Sequence, residues 1–109
     1  MVRTRIAPSP TGFPHLATIY QAMFDYVFAK RTDGNFIVRI EDTDKARFVE
    51  GAEEVIKTSL DWFGLTPDES PWQGGEYGPY RQSERLSIYQ KYVQGLIDKK
   101  LAYYCFCTK

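Results

Sequence analysis

The chain has 109 residues, and its 14 lysines and arginines balance its 14 aspartates and glutamates, which makes its formal net charge zero. A hydrophobic share of 43% excludes a disordered tail, and no apolar run reaches the ~20 residues that span a bilayer. The amino terminus lacks a signal peptide, and two cysteines spaced Cys-x-Cys form no disulfide framework. We therefore expect one small cytoplasmic domain with no membrane partner. Zero charge argues at first against a nucleic-acid partner, since domains that bind phosphates usually carry excess lysine and arginine.

The first 41 residues predict a strand, a helix and a second strand. Residues 2–7 form a β-type run that Pro8 and Pro10 end, because proline cannot donate to a strand ladder. Residues 35–41 form the second such run, and it ends in acidic side chains. Between them, apolar residues at helical spacing predict a helix with one inward stripe. The stripe consists of Leu16, Ile19, Tyr20, Met23, Phe24, Val27 and Phe28.

The rest of the chain predicts two more helices and one more strand. The helices cover about residues 50–63 and 83–100, with Gly64 ending the first and Ser83 as the N-cap of the second. Their predicted inward residues are Ala52, Val55, Ile56, Leu60 and Phe63 in the first helix and Leu86, Tyr89, Val93, Leu96 and Ile97 in the second. A loop rich in proline and glycine spans residues 66–80, and residues 101–106 are predicted as a strand. The pattern indicates an α/β fold in which helices cover a parallel sheet of three or four strands. The chain ends abruptly, as if it had been cut from a larger domain.

The loop after the first strand is the predicted ligand site. In an open α/β sheet, ligands bind outside the carboxyl ends of the strands, where loop 8–14 and His15 are expected. A helix N-terminus there attracts phosphate, and an imidazole can add a hydrogen bond to a phosphoryl oxygen. The alternative is that His15 only caps the helix.

Acidic residues follow the second strand at the same edge of the sheet. Asp42 and Asp44 could hold a hard cation through their carboxylate oxygens. A role in forming the turn, with each side chain bonded to nearby backbone, is at least as well supported.

Three motifs connect the sequence to a known family. Pro8-Ser9-Pro10-Thr11-Gly12, followed by Pro14-His15-Leu16-Ala17-Thr18, resembles the first signature of the class I aminoacyl-tRNA synthetases, in the form of the glutamyl branch. Arg39-Ile40-Glu41-Asp42-Thr43-Asp44 is similar to the second-strand motif of that branch. Gly78-Pro79-Tyr80-Arg81-Gln82-Ser83-Glu84-Arg85 is similar to the segment that opens its next helix.

The resemblance implies a Rossmann-like catalytic domain, of which residues 1–109 would be the N-terminal portion. It implies ligation of L-glutamate to tRNA(Glu) through glutamyl-adenylate, with ATP and Mg²⁺, and positioning rather than a side-chain nucleophile as the source of catalysis. The family's second signature loop and its anticodon-binding region do not occur in these residues. We therefore expect half an active site, which by itself does not charge tRNA at a useful rate.

The resemblance also assigns roles to residues. It places His15 and Thr18 in catalysis and gives Arg5 the side-chain carboxylate of glutamate, which a planar guanidinium binds bidentately. The other implied glutamate ligands are Ala7, Ser9 and Glu41. The implied ATP-binding residues are Pro8, Ser9, Pro10, Thr11, Gly12, His15, Ala17 and Thr18. Without the motif, Arg5 and Glu41 would be interpreted as solvated side chains at strand ends.

Position 17 departs from the family, which has glycine where this chain has Ala17. A methyl group there is expected to push the adenine of ATP away, at a cost of about 1–3 kcal/mol. The alternative is that alanine is simply the best helix former in a first turn.

Two weaker predictions concern the acceptor end of tRNA and zinc. Lys45 and Arg47 either contact that end or form a solvated basic pair. Cys105 and Cys107 resemble the first half of a zinc-binding insertion at which residues 1–109 would end. A closed Zn²⁺ site needs four ligands, so we expect zinc only in a longer protein, and two structural cysteines are the alternative.

Three other functions compete with glutamate–tRNA ligation. The short relatives that glutamylate queuosine in tRNA share the Tyr103-Tyr104-Cys105 segment, but Thr11 and Thr43 favour the true synthetase. A small-molecule nucleotidylyltransferase would have histidine where this chain has Thr18. A non-catalytic synthetase paralogue is supported by Ala17 alone.

Overall fold

The computed structural model describes residues 1–108 and shows two strands and three α-helices. The two strands pair in parallel as one sheet, with Arg5 opposite Ile37. This confirms the predicted α/β class, although the sheet has two full strands rather than three or four. The elements are β1 (Arg3–Ile6), α1 (Leu16–Arg31), β2 (Asn35–Val38), α2 (Ala52–Trp62) and α3 (Leu86–Asp98), with short 3-10 helices at Lys45–Arg47 and Gln82–Arg85.

The pairing of β1 with β2 continues beyond the ends of both strands. The amide of Arg39 donates to the carbonyl of Ile6 at 3.2 Å, and the amide of Glu41 donates to the carbonyl of Pro8 at 2.9 Å. These bonds hold the segments that follow the two strands side by side. At the other end, Gly34 lies so close to the Val2 carbonyl that a Cβ atom at this position would clash with it.

The second edge of β2 is covered by the loop predicted over residues 66–80. Val38 donates its amide to the Glu69 carbonyl, and Ile40 donates its amide to the Tyr80 carbonyl. Single parallel bridges join Ile37 to Glu69 and Ile40 to Arg81. The loop therefore continues the hydrogen bonding of the sheet without forming a further strand.

The core lies between this sheet and the helices α1 and α2. Phe36, Val38 and Ile40 are fully buried, and Tyr26 and Trp72 pack against the cluster from its margin. The remaining buried apolar members are Ile6, Ile19, Ala22, Ala29, Ile56, Leu60 and Leu65. Among residues 1–108, no helix is both long and apolar enough to cross a membrane.

The predicted inward stripe of α1 is wrong except at Ile19. The helix presents Ile19, Ala22 and Ala29 to the core, where the small alanine side chains let it lie close to the sheet. The other stripe residues lie on a face that the described part of the chain leaves exposed. These exposed residues are Leu16, Tyr20, Met23, Phe24, Val27 and Phe28.

The predictions for the other helices are partly correct. In α2, Ala52, Ile56 and Leu60 are buried as predicted, and Gly64 ends the helix with φ at +69°. Val55 and Phe63 are exposed instead. Helix α3 buries no residue, and four residues of its predicted inward face are exposed. These four are Leu86, Tyr89, Val93 and Leu96.

Two further predictions near the carboxyl end are wrong. Ser83 is not the N-cap of α3, because it lies inside the 3-10 helix that precedes α3. Residues 101–106 do not form a strand. Their aromatic residues have high strand propensity, but a strand also needs a neighbour that accepts and donates hydrogen bonds. Tyr103 and Phe106 are instead 87% and 90% exposed.

One buried carboxylate joins the loop 66–80 to both strands. Glu69 accepts hydrogen bonds from Arg3 Nη1 at 2.6 Å, Arg3 Nη2 at 2.8 Å, Asn35 Nδ2 at 3.2 Å and the Tyr80 hydroxyl. The Arg3 guanidinium also lies over the ring of Tyr77, 4.4 Å from its centroid. These donors, the Arg3 bonds first, lower the pKa of Glu69 to about 2 although burial opposes them. This network was not predicted from the sequence.

We expect the stabilising effect of Glu69 to depend on pH. Because its pKa falls from 4.5 to about 2 on folding, it contributes up to about 3 kcal/mol above pH 4.5. That contribution is lost as the pH falls from 4.5 through about 2. Urea denaturation followed by tryptophan fluorescence should show Glu69→Gln less stable than the unsubstituted chain at pH 7, with the difference shrinking in acid. Glu76→Gln, an exposed control in the same loop, should change stability by less than about 0.5 kcal/mol at either pH. A Glu69→Gln deficit that persists at pH 2 would contradict this assignment.

Candidate functional site

Two adjoining cavities lie at the carboxyl end of β1. They measure about 300 and 360 Å³, the lower end of the range for small-molecule sites, and Pro8, Ser9 and Thr18 line both. The first is also lined by Thr11, Gly12, Phe13, Pro14, His15 and Ile56. The second is also lined by Arg5, Ile6, Ala7 and Gln21. The loop after β1 and the first turn of α1 thus form one continuous concave surface.

Most of the residues predicted for ATP and glutamate binding line these cavities, but Pro10, Ala17 and Glu41 do not. Pro10 is fully buried, and its carbonyl accepts a hydrogen bond from the amide of Val49 at 2.9 Å. Ala17 is exposed and lines neither cavity. Pro10 therefore shapes the loop from below, whereas Ala17 stands at the open side of the helix start.

His15 occupies the N-cap position of α1. Its carbonyl accepts the amide of Thr18 at 2.8 Å, while its backbone is extended with φ at −83° and ψ at 154°. Within residues 1–108 its imidazole makes no capping hydrogen bond, and it lines the first cavity. The first turn of α1 also carries no acidic residue. The helix end therefore presents amide groups and an imidazole to the cavity, a combination that suits an anionic ligand.

Arg5 and Glu41 meet at the rim of the second cavity. The Arg5 Nη1 atom lies 3.2 Å from Glu41 Oε1, and the same oxygen accepts from Arg39 Nε at 3.3 Å and Arg39 Nη2 at 3.1 Å. Two guanidinium groups thus share one carboxylate.

Burial raises the pKa of the nearby Asp25, and the positive charge of Arg5 lowers it by a smaller amount. Arg5 and Glu41 were predicted from the sequence as site residues, whereas Arg39 was not, although residues 39 and 41 share one face of an extended segment.

Asp42 and Asp44 both accept hydrogen bonds from backbone amides, Asp44 within its own turn and Asp42 from a segment 41 residues further along the chain. Asp42 accepts from the amide of Ser83 at 2.8 Å and from its hydroxyl at 2.6 Å. Partial burial raises the pKa of Asp42, but the Ser83 bonds outweigh it and leave the pKa below its usual value. Asp44 caps the 3-10 helix through the amide of Arg47, whose side chain lowers the pKa of Asp44. The Asp44 contacts agree with the turn-forming interpretation, whereas Asp42 bonds to a distant segment rather than to its own turn, so both carboxylates already have partners within the domain.

Arg47 is exposed and pairs with Asp44 at 2.6 Å. Its contact with tRNA stays a prediction.

The segment that follows the loop 66–80 is held by an ion pair of Arg81. The Nη2 atom of Arg81 lies 2.5 Å from Oε1 of Glu53 in α2.

Cys105 and Cys107 are exposed free thiols. Hydrogen bonds from the Cys107 backbone and then its side chain lower the pKa of Cys105. Two adjacent thiols fit half of a zinc donor set, and in the described chain no three His, Cys, Asp or Glu side chains converge as a metal site. Zinc binding therefore stays a prediction that needs further ligands.

The chain is similar to known proteins in sequence and in fold. The family model described as tRNA synthetases class I (E and Q), catalytic domain, matches residues 1–109. The chain is 57% identical over 107 residues to the glutamate–tRNA ligase of Chloroherpeton thalassium and 60% identical over 108 residues to that of Thermus thermophilus. These alignments cover 98% and 99% of this chain but 21% and 23% of the relatives. The chain thus spans about a fifth of the length of the curated relatives that it matches.

A solved structure is similar in fold. The crystal structure of a glutamate tRNA ligase from Elizabethkingia meningosepticum, in complex with its amino acid, superposes with a TM-score of 0.85 at 55% identity. The superposition covers 89% of this chain and 19% of that one.

We expect Asp42→Ala to destabilise the chain by about 1 kcal/mol, because two hydrogen bonds to Ser83 are lost. Asp42→Asn keeps one acceptor oxygen and should lose less. The measurement is urea denaturation with and without millimolar Mg²⁺. Asp61→Ala removes an exposed ion pair to Lys57 and should cost less than about 0.5 kcal/mol. Stabilisation by Mg²⁺ that Asp42→Ala abolishes would instead favour the cation site.

Proposed function

Because the chain belongs to the family of class I tRNA synthetases (E and Q), catalytic domain, we propose that it forms part of a glutamate–tRNA ligase. In the first step, an oxygen of the α-carboxylate of L-glutamate attacks the α-phosphorus of ATP and pyrophosphate leaves. In the second, a hydroxyl of the terminal ribose of tRNA(Glu) attacks the acyl carbon and AMP leaves. Neither step needs a side-chain nucleophile, so the protein contributes by binding and orienting the substrates.

The observation that carries the proposal is the position of Arg5. Its guanidinium lines a cavity that shares Ser9 and Thr18 with the cavity at the start of α1. A ligand carboxylate bound by Arg5 would therefore lie next to an anion bound at the helix start. This is the juxtaposition that transfer between an amino acid and a nucleotide phosphate requires.

On the amino-acid side, Arg5 binds the side-chain carboxylate of glutamate. A guanidinium satisfies a carboxylate with two parallel hydrogen bonds, whereas an amide offers it only one acceptor atom, so the acid is preferred. Glu41, which pairs with Arg5, accepts hydrogen bonds from the ammonium group of the substrate. Ser9 and the backbone at Ala7 lie beside this position.

On the nucleotide side, the Thr11–Gly12 backbone, His15 and Thr18 surround the phosphates. The amide groups of the first turn of α1 stabilise the charge that develops on phosphoryl oxygens. Magnesium neutralises phosphate charge when it is bound. We infer that it arrives with ATP, since Asp42 and Asp44 already serve Ser83 and Arg47.

The tRNA would meet this part of the enzyme only at its acceptor end, where Arg47 is exposed. A cytoplasmic location follows from the proposed role in protein synthesis. Zinc at Cys105 and Cys107 would need ligands from outside the described residues.

We expect Arg5→Met, made in the enzyme that carries this chain, to lower kcat/KM for glutamate roughly 100-fold or more, since a charged hydrogen-bonding partner is lost. The assay is glutamate-dependent ATP–pyrophosphate exchange in the presence of tRNA. KM for ATP should change little, because Arg5 lines only the cavity away from His15. Arg31→Met, at the exposed far end of α1, is the matched control. An equal loss for glutamate and ATP would contradict the assigned role.

We expect Ala17→Gly to lower KM for ATP in the same exchange assay. Removing a methyl group worth about 1–3 kcal/mol corresponds to roughly 5- to 150-fold. Because Ala17 is exposed, the change leaves no cavity in the core. An unchanged KM would remove the argument that this residue marks a non-catalytic paralogue.

A further inference from the structure

We propose that Arg39 is a positioning residue that keeps Glu41 in place when Arg5 turns to the carboxylate of the substrate. The inference rests on the proposed function and extends it to a residue outside the loop 8–14. It follows from the way in which two guanidinium groups share one oxygen atom.

The three hydrogen bonds at Glu41 come from two different strands. Arg5, on β1, supplies one bond of 3.2 Å, whereas Arg39, just after β2, supplies two bonds of 3.3 and 3.1 Å. All three end on Oε1 of Glu41. None of the hydrogen bonds within residues 1–108 ends on Oε2, which leaves that oxygen for an ammonium group.

The two arginines differ in how much freedom they have. The side chain of Arg5 is 39% exposed, and it lines the second cavity. The side chain of Arg39 is 23% exposed and does not line that cavity. Arg5 is therefore the guanidinium that a ligand can reach, and Arg39 is the one that stays with Glu41.

The consequence appears when a ligand carboxylate takes Arg5. Glu41 then loses one of its three hydrogen bonds but keeps the two from Arg39, so its direction is maintained. Without Arg39, the only remaining guanidinium partner of Glu41 would be Arg5, and Glu41 would compete with the ligand for it. Arg39 thus lets one carboxylate stay at the ammonium position while a second carboxylate binds Arg5.

The side chain of Arg39 can be changed without removing the strand pairing. The bond from its backbone amide to the Ile6 carbonyl, 3.2 Å long, does not depend on the side chain. We therefore expect Arg39→Met and Arg39→Lys to fold.

The test uses the enzyme that carries this chain and glutamate-dependent ATP–pyrophosphate exchange with tRNA present. Arg39→Met should lower kcat/KM for glutamate roughly tenfold, with KM for ATP within twofold of the unsubstituted enzyme. Arg39→Lys, which keeps the charge but not the paired donors, should recover part of the loss. Arg31→Met is again the control without effect.

A double-mutant cycle with Glu41→Gln shows whether Arg39 affects kcat/KM by positioning Glu41 or by a route that does not involve Glu41. If Arg39 acts through Glu41, adding Arg39→Met to Glu41→Gln should lower kcat/KM by less than about twofold further. A full tenfold loss in that background, or a parallel loss for ATP, would overturn the inference. So would unchanged kinetics of Arg39→Met while the unsubstituted enzyme remains active. Lack of glutamate-dependent exchange by the unsubstituted enzyme would overturn the proposed function, and the inference with it.

Discussion

The register between β1 and β2 is the constraint on which the site depends. The bonds from Arg39 to Ile6 and from Glu41 to Pro8 extend the parallel ladder into the two loops. They fix Glu41 opposite Pro8, at the start of the loop 8–14, and within reach of Arg5. Side chains alternate along a strand, so a slip of one residue would turn Arg5 or Glu41 to the opposite face. The short sheet thus sets the geometry of the site more directly than the helices do.

Several of the charges that cancel in the neutral net charge form ion pairs within the domain. Arg3 pairs with buried Glu69, Lys30 with Asp68, and Arg81 with Glu53. These pairs engage basic residues within the domain, where they hold the loop 66–80 and the following segment against β1, α1 and α2. Net charge, which counts all residues equally, cannot distinguish such internal pairs from a surface that binds phosphate. The initial argument against a nucleic-acid partner thus loses its force.

The sequence predicted the parts of the fold that depend on local rules. Alternation, helical spacing and glycine positions located β1, β2 and α2, and the placement of loops at strand ends brought His15, Ser9 and Arg5 to one place. The failures concern long-range partners. The apolar stripe of α1 includes Ile19 but not the buried Ala22, and residues 101–106 have strand propensity without a neighbour to pair with. Glu69 was missed because its partners Arg3 and Asn35 lie far along the chain, and spacing alone does not reveal them. Arg39 lies only two residues from Glu41, so the alternation of an extended segment could have indicated that pair. No sequence pattern distinguished the caps at Asp42 and Asp44 from a cation site.

The pairing of Arg5 with Glu41 means that the site contains an internal copy of the group that it is proposed to bind. An incoming carboxylate must exchange with a tethered one, whose effective concentration is in the millimolar range or above. A simple carboxylic acid gains little from that exchange, since it replaces one ion pair by another. A ligand that also carries an ammonium group offers Glu41, which Arg39 holds in place, a new partner for the one that it gives up, and so gains where the simple acid does not. If Arg5 binds the substrate as proposed, its pairing with Glu41 favours an amino acid over ordinary carboxylates.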